Sequence, residues 1–203
     1  MPLAFDLADQ YRLTVLILAD GVLGQMMEPV SLTSKPRPKL PPKDWALTGR
    51  QGREQNIVRS LWLGEGVLEK LNEKLQAKYR QIREHEVRCE EYRLDDAEIV
   101  VIAYGIAARI ARAAVDQGRD EGIPVGLLRP ITLWPFPSPQ VRRLADRFPV
   151  FLTVEMSSGQ MLEDVQLAVA GQAPVLFYGR MGGGIPSADE VLGQIRELTL
   201  NRR

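Results

Sequence analysis

A three-layer α/β/α fold around a five-stranded, mostly parallel sheet is the class this 203-residue sequence predicts. From about residue 87 onward, short apolar runs alternate with helical patterns, the order that βαβ crossovers produce. The runs are apolar at most positions, as strands covered on both faces must be. The helical pattern after the first buried run carries alanines on one stripe, which lets a helix lie close against a sheet.

Residues 1–30 come first. They hold a short helical pattern, "LAFDLADQYR", then the apolar run "LTVLILA" (13–19), expected to be a buried strand, then "DGVLGQMMEPV". So short a region cannot bury a core of its own. It reads as the carboxy-terminal remnant of a larger fold. Residues 31–90 are a linker and a helix. "SLTSKPRPKLPPKDW" places prolines at 36, 38, 41 and 42, which deny backbone donors and favour extended geometry. From Gly66 onward, Leu68, Leu71, Leu75, Tyr79 and Ile82 fall on one helical stripe, with Glu69, Lys70, Glu73, Lys74 and Lys78 opposite. The stripe is too short for a coiled coil, so a helix packed along a domain surface is expected.

Residues 91–203 form the expected domain, preceded by "EVRCEEY" (86–92) as an exposed edge strand guarded by its charges. Residues 98–104 are the next strand, and 106–117 a helix bearing Ala107, Ala108, Ala111 and Ala114 for close packing. "PVGLLRPI" is another strand, after which Ser138 with Pro139 is expected to cap a helix over 140–147. "PVFLTVEM" follows as a strand, 160–170 as a helix ended by Gly171, "PVLFYG" as the last strand, and a final helix starts at Ala188.

Acidic and basic residues balance at 26 each, so no net field draws in nucleic acid or an anionic membrane. The run at 13–19 is too short to cross a bilayer. "MPLAFDLADQYR" carries acids where a signal peptide needs a basic start and an apolar centre, so a cytoplasmic protein is expected. One cysteine, Cys89, and one histidine, His85, exclude an internal disulfide and leave no ligand set for a thiolate zinc site or an iron–sulfur cluster. His85 lies in the charge run "YRQIREHEVRCEEYR", where a solvated or edge-strand side chain is expected rather than a triad base. If the protein takes part in redox chemistry, the electron-carrying metal lies on another chain.

Ligands of open parallel sheets bind at the carboxyl ends of the strands, so those loops carry the functional question. "AYGIAAR" (103–109) has one glycine instead of G-x-G-x-x-G spacing and no evident ribose-binding acid, so dinucleotide binding is not expected. In "GRMGGGIPSADE" (179–190), Ser187 and Glu190 make a capping box with Asp189 beside them. Those acids would repel a phosphate from that helix end, and the glycines read as a turn. "RPITLWPFPSP" (129–139) is the least ordinary segment. Core packing and a proline-stiffened docking surface account equally well for Trp134 and Phe136, and Arg129 would offer a carboxylate an anchor. Ser157, Ser158 and Gln160 have no base nearby in sequence, and helix capping accounts for the serines. By themselves the residues support an α/β domain without a catalytic constellation.

"LRPITLWPFPSPQV", "TVEMSSGQMLEDVQLAV" and "VLFYGRMGG" resemble the alpha subunit of 2-oxoacid:ferredoxin oxidoreductases, in the branch acting on branched-chain 2-oxoacids or 2-oxoglutarate. "ILADGVLGQMMEPV", "DWALTGR" and "YRLDDAEIVVIAYGIAARIARAAV" extend the resemblance over nearly the whole chain. It implies that residues 1–30 end a domain of the thiamine-diphosphate pyrimidine-binding type and that 91–203 form a transketolase C-terminal-like domain. It implies oxidative decarboxylation of a 2-oxoacid to an acyl-CoA, with electrons passed to ferredoxin. Thiamine diphosphate and magnesium would sit between the alpha subunit and a thiamine-diphosphate-binding beta subunit, and iron–sulfur clusters on further gamma- or delta-type subunits. The family's proline-rich substrate motif and cofactor-activating glutamate have no match here, so no catalytic, cofactor-binding or metal-ligating residue carries over. The chain is expected to bind no cofactor alone and to act as a truncated or split alpha subunit contributing assembly. Its expected interface or domain-contact residues are Arg129, Thr132, Trp134, Phe136, Glu155 and Gln160. Ile106 stands where the family usually has threonine or serine, and Ser157 where asparagine is expected, which puts a hydrogen bond in question at each. A stand-alone nucleotide- or effector-binding module and a homodimeric scaffold using the "RPITLWPFP" face are the alternatives.

Overall fold

The computed structural model describes residues 2–31 and 39–200. In chain order the elements are α1 (Pro2–Tyr11), α2 (Gly21–Gln25), α3 (Val67–His85), β1 (Cys89–Tyr92), β2 (Ile99–Ala103), α4 (Gly105–Asp120), β3 (Val125–Pro130), α5 (Ser138–Ala145), β4 (Phe151–Glu155), α6 (Gln160–Val169), β5 (Val175–Gly179) and α7 (Ala188–Leu200). The chain divides into two units: Met1–Ala19 with Gln25–Gln81, and Asp20–Gly24 with Ile82–Arg203.

The second unit is the predicted three-layer domain. Its strands lie in the order β1-β3-β2-β4-β5, with β1 antiparallel to β3 and the other neighbours parallel. Every residue of the central β2 and β4 is buried, which is why their sequences lack polar alternation. Ile99, Val101, Ala103, Leu152 and Val154 pack with the α4 alanines 107, 108, 111 and 114 and with Val191 and Ile195 of α7. Val100, Ile102, Leu128 and Phe151 pack on the other side with Val141 and Leu144 of α5 and Met161 and Val165 of α6. The charges of β1 guard the edge as expected: Glu90 pairs with Arg112 (3.1 Å) and Arg129 (3.2 Å), and Glu91 with Arg143 (2.6 Å). Gly126 in β3 is required by space. A Cβ there would lie 2.5 Å from the Arg93 carbonyl oxygen and 2.6 Å from Leu94 Cδ2, where the chain leaving β1 crosses the strand.

Two helix ends differ from the sequence reading. Ser138 is the first residue of α5 and makes no cap; Pro137 flanks it and Pro139 lies in the first turn, where a missing N–H is harmless. α6 stops at Val169 because Ala170, not Gly171, turns first into the left-handed region, at φ 52.

In the first unit, α1 ends in a Schellman stop. Arg12 takes φ 46 and the Leu13 N–H donates to the Ala8 carbonyl at 3.2 Å. The Arg12 guanidinium lies 4.3 Å over the Trp45 ring, and Asp9 pairs with Lys43 at 2.7 Å. Burial, then the Arg12 and Lys74 charges, holds Lys78 below the ordinary lysine range. Within the first unit the α3 stripe runs from exposed Leu68 to half-buried Leu71, Leu75 and Tyr79, and its last member, Ile82, belongs to the second unit, where it is buried. Prolines 36 and 38 of the expected linker fall outside the described residues; 41 and 42 are in irregular backbone. The buried strand expected at 13–19 is not found. The segment enters no ladder, and Leu16 and Leu18 are 77% and 73% exposed. An apolar run marks a need for burial, but a strand also needs neighbours for its N–H and C=O groups, and the described residues supply none. No described helix is long and apolar enough to cross a membrane.

Candidate functional site

In the second unit β2 and β4 are neighbours, yet β2 connects onward to β3 on one side and β4 to β5 on the other. Such a reversal opens a crevice at the carboxyl ends of the two strands, where ligands of open parallel sheets sit. The residues there are Tyr104 and Gly105 after β2, Glu155 and Ser157 around the end of β4, and Asp20.

Gly105 opens α4 at φ 58, a left-handed conformation that glycine adopts without strain. A Cβ on it would lie 3.4 Å from Asp20 Oδ2 and 3.8 Å from Leu23 Cδ1. Asp20 Oδ1 accepts the Leu23 N–H at 2.9 Å, capping α2, and its Oδ2 faces the Ile106 N–H at 3.4 Å. The positive end of α4 therefore already faces a carboxylate of this chain. A phosphate would have to displace it, so the geometry does not fit a diphosphate and argues with the glycine spacing against a nucleotide loop.

Glu155 ends β4 and is fully buried. It accepts three hydrogen bonds: from the Met161 N–H (3.0 Å), the Leu162 N–H (2.9 Å) and the Ser157 hydroxyl (2.7 Å). Gly159, at φ 108, turns the chain between strand and helix and aims those first-turn amides back at the strand end. The cap of α6 is thus a glutamate on the preceding strand, which corrects the expectation of a cap from Ser157 or Ser158. Ser157 spends its proton on the same carboxylate, an arrangement with no free base and no activated nucleophile. Burial pushes the Tyr104 phenol above its ordinary range, the Glu155 charge adds to it, a hydrogen bond with Ser157 opposes it, and Asp20 adds a smaller push. Asp164 on α6 is raised in the same way, by burial first and then by Glu163 and Glu155. On the β5 side the crevice is shut: a Cβ at Gly179 would strike the Phe177 ring and lie 2.6 Å from the Ser157 carbonyl oxygen.

The expected contact residues do not gather at one place. Arg129 engages Glu90. The Thr132 hydroxyl accepts the Arg88 N–H at 3.0 Å, closing the open end of the β1–β3 pair. Trp134 is half exposed, and Phe136 packs against the α5–α6 core cluster. Glu155 is internal, and Gln160 donates to the Ser158 hydroxyl at 3.4 Å. The capping box at α7 forms as its spacing predicts: the Ser187 N–H donates to Glu190 (2.7 Å) and the Glu190 N–H to Ser187 Oγ (3.1 Å). Sequence reading missed Asp20, although an acid ending an apolar run before a short helix is a cap signal. Among the described residues, no three His, Cys, Asp or Glu side chains are placed to hold a metal ion. Burial, with Glu91, raises the Cys89 thiol against the pull of Arg143. The residues present do not fit an iron–sulfur cluster.

Residues 97–191 match the family described as pyruvate:ferredoxin oxidoreductase core domain II. Over 96% of its length the chain is 51% identical to the ketoisovalerate oxidoreductase subunit VorB of Methanothermobacter thermautotrophicus, covering 55% of that protein. It is 30% identical, over 98% of its length, to the 2-oxoglutarate synthase subunit KorA of the same organism, covering 59% of it. The chain thus spans somewhat more than half the length of these relatives. A solved 2-oxoglutarate:ferredoxin oxidoreductase from Magnetococcus marinus, with 2-oxoglutarate, coenzyme A and succinyl-CoA bound, shares the fold at a TM-score of 0.56 and 17% identity, over 66% of this chain and 23% of that one. Similarity to ketoisovalerate oxidoreductase and 2-oxoglutarate synthase subunits thus extends along nearly the whole chain, and within it residues 97–191 match the core domain II family.

Proposed function

We propose that the chain is part of an alpha-type subunit of a 2-oxoacid:ferredoxin oxidoreductase and that its α/β unit contributes assembly rather than catalytic groups. The observation that carries this reading is 51% identity to a ketoisovalerate oxidoreductase subunit, sustained over 96% of the chain. The lower identity to the 2-oxoglutarate synthase subunit, 30%, favours a branched-chain 2-oxoacid as substrate. In this reading the complete cytoplasmic complex converts the 2-oxoacid and coenzyme A to an acyl-CoA and carbon dioxide, and ferredoxin takes the electrons. Thiamine diphosphate with magnesium and the iron–sulfur clusters belong to partner chains, a beta-type subunit among them. The crevice of this chain, stoppered by Asp20 and knitted together by Glu155, supports a scaffold role.

Within the same reading, residues 1–30 close a pyrimidine-binding-type domain, 31–90 connect, and 91–203 form the transketolase C-terminal-like domain. Trp134, 50% exposed beside Ile131 at 54%, is the centre of the proposed contact with a partner subunit, flanked by Arg129 and Thr132 and anchored inward by Phe136. Reconstitution tests the proposal. The isolated chain should reduce no viologen dye with ketoisovalerate and coenzyme A, and dye reduction should appear only when partner subunits are added. Turnover by the isolated chain would overturn it.

A further inference from the structure

The two edges of the α/β sheet are finished differently. β1 carries Glu90 and Glu91, both paired with arginines, and so presents charge to any approaching strand. β5, at the other edge, reads Val175, Leu176, Phe177, Tyr178, Gly179, without a charge, a proline or a bulge. The β4 ladder uses one side of it. The Phe151 N–H donates to the Pro174 carbonyl at 3.0 Å and the Arg180 N–H to the Glu155 carbonyl at 3.1 Å, which sets the phase of the parallel pairing. Leu176 and Tyr178 therefore bond inward, and Val175, Phe177 and Gly179 turn their N–H and C=O groups outward. Nothing among the described residues pairs with those outward groups. The side chains are open as well. Leu176 is 39% exposed on the face that Tyr178 shares with α4 and α7. Phe177 is 36% exposed on the α5–α6 face, its ring edge beside Gly159.

We propose that β5 is a homotypic docking edge. A second copy of this chain pairs its own β5 there, antiparallel about a two-fold axis normal to the sheet, to make one ten-stranded sheet. The occupant follows from the strand's self-complementarity. In a two-fold pair each strand meets itself reversed, so a charge near the centre meets its own copy. β1 would set its glutamates against their copies; β5 brings no charge. With the axis at Phe177 every outward group finds a partner: Val175 bonds with Gly179 of the second copy, and Phe177 with its own counterpart. On one face the two Phe177 rings adjoin, and on the other Leu176 lies opposite Tyr178, cross-strand pairs of the kind that stabilise sheets. Acidic and basic residues balance at 26 each, so no net charge drives the copies apart. Growth stops at two chains, because the joined sheet then ends in a guarded β1 on each side. The proposal is independent of the function proposed above.

The test uses the full chain, and light scattering over a dilution series should show a dimer. Phe177→Lys and Phe177→Glu should each be monomeric with unchanged far-ultraviolet circular dichroism. Their equimolar mixture should be dimeric, because opposite charges then face each other across the axis. In a Cys89→Ala background, Phe177→Cys should oxidise to a disulfide-linked dimer, since a hydrogen-bonded antiparallel pair brings its Cα atoms to about 5.5 Å. Leu167→Cys, at an exposed position of α6, should not cross-link. Amide exchange followed by NMR should be at least about 10-fold slower at Val175 and Gly179 in the dimer than in the monomeric variants, while Leu176 and Tyr178 stay slow in both. The cross-link decides the matter if a charged variant unfolds. A monomer at every concentration, a dimer that survives both charged variants, or no cross-link at position 177 would overturn the proposal. So would a dimer broken instead by Trp134→Asp, or one whose Val175 and Gly179 amides exchange as freely as in the monomer.

Discussion

Replacing Glu155 with alanine should be among the most damaging single changes in the α/β unit. The carboxylate is fully buried and accepts two first-turn amides of α6 together with the Ser157 hydroxyl. Truncation orphans the Met161 and Leu162 N–H groups, and Met161 is only 4% exposed, so water reaches its amide poorly. An unsatisfied buried donor costs about 1–3 kcal/mol, and relief from desolvating the buried charge returns part of the loss. The net comes to about 3 kcal/mol for Glu155→Ala. Glu155→Gln keeps the shape and one acceptor oxygen but turns an NH₂ toward the second amide, at about 1–2 kcal/mol. Ser157→Ala removes a single bond, about 1 kcal/mol. Urea unfolding followed by far-ultraviolet circular dichroism reads all three. With a slope of about 2 kcal/mol per molar, the Glu155→Ala midpoint should fall by about 1.5 M, with the glutamine and Ser157 variants in between. A fall of less than about 0.3 M for Glu155→Ala would refute the assignment of this glutamate as the cap of α6.

Gly126→Ala should cost about 3 kcal/mol or more, because the new Cβ meets the Arg93 carbonyl oxygen at 2.5 Å and backbone cannot swing aside; the same unfolding curve, or loss of soluble protein, reads it. Ala170→Gly should stabilise the unit by about 1 kcal/mol, seen as a raised melting temperature, since an alanine now holds a left-handed φ of 52. Cys89 should react with iodoacetamide more slowly than free cysteine near about pH 8 and draw level in urea. Its thiol is raised by burial, so the folded state keeps the proton longer than the unfolded state does. The stability it contributes is complete below the unfolded pKa and is lost as pH climbs through the folded one. Equal alkylation rates in folded and unfolded protein would contradict this.

Much of the second unit was legible because its strands are buried on both faces and its helices are amphipathic, so period and punctuation agree. The α4 alanines, the charged edge of β1 and the Ser187–Glu190 box follow from neighbours a few residues apart. The crevice was not legible to the same depth. Asp20 reaches Ile106 from 86 positions away, and no local pattern reports such a pairing. Glu155 caps a helix from the strand before it, across a left-handed glycine, whereas sequence rules for caps look at the adjoining Ser, Thr, Asn or Asp. Gly126 carried a readable signal, since glycine inside a strand often marks a close backbone approach, but the approaching residue is fixed by the crossing of the chain.

By itself the sequence determined which segments must be buried, which become strands or helices in the second unit, and, through extended similarity, the protein's relatives. Tertiary structure alone decided strand order, the reversal between β2 and β4, and the filling of the resulting crevice by the chain's own carboxylates. The run at 13–19 shows the division most plainly. Seven residues suffice to specify a demand for burial, because hydrophobicity is a property of the side chains present. They cannot specify what meets that demand, because a β-ladder is a non-local bond whose other half lies elsewhere in space.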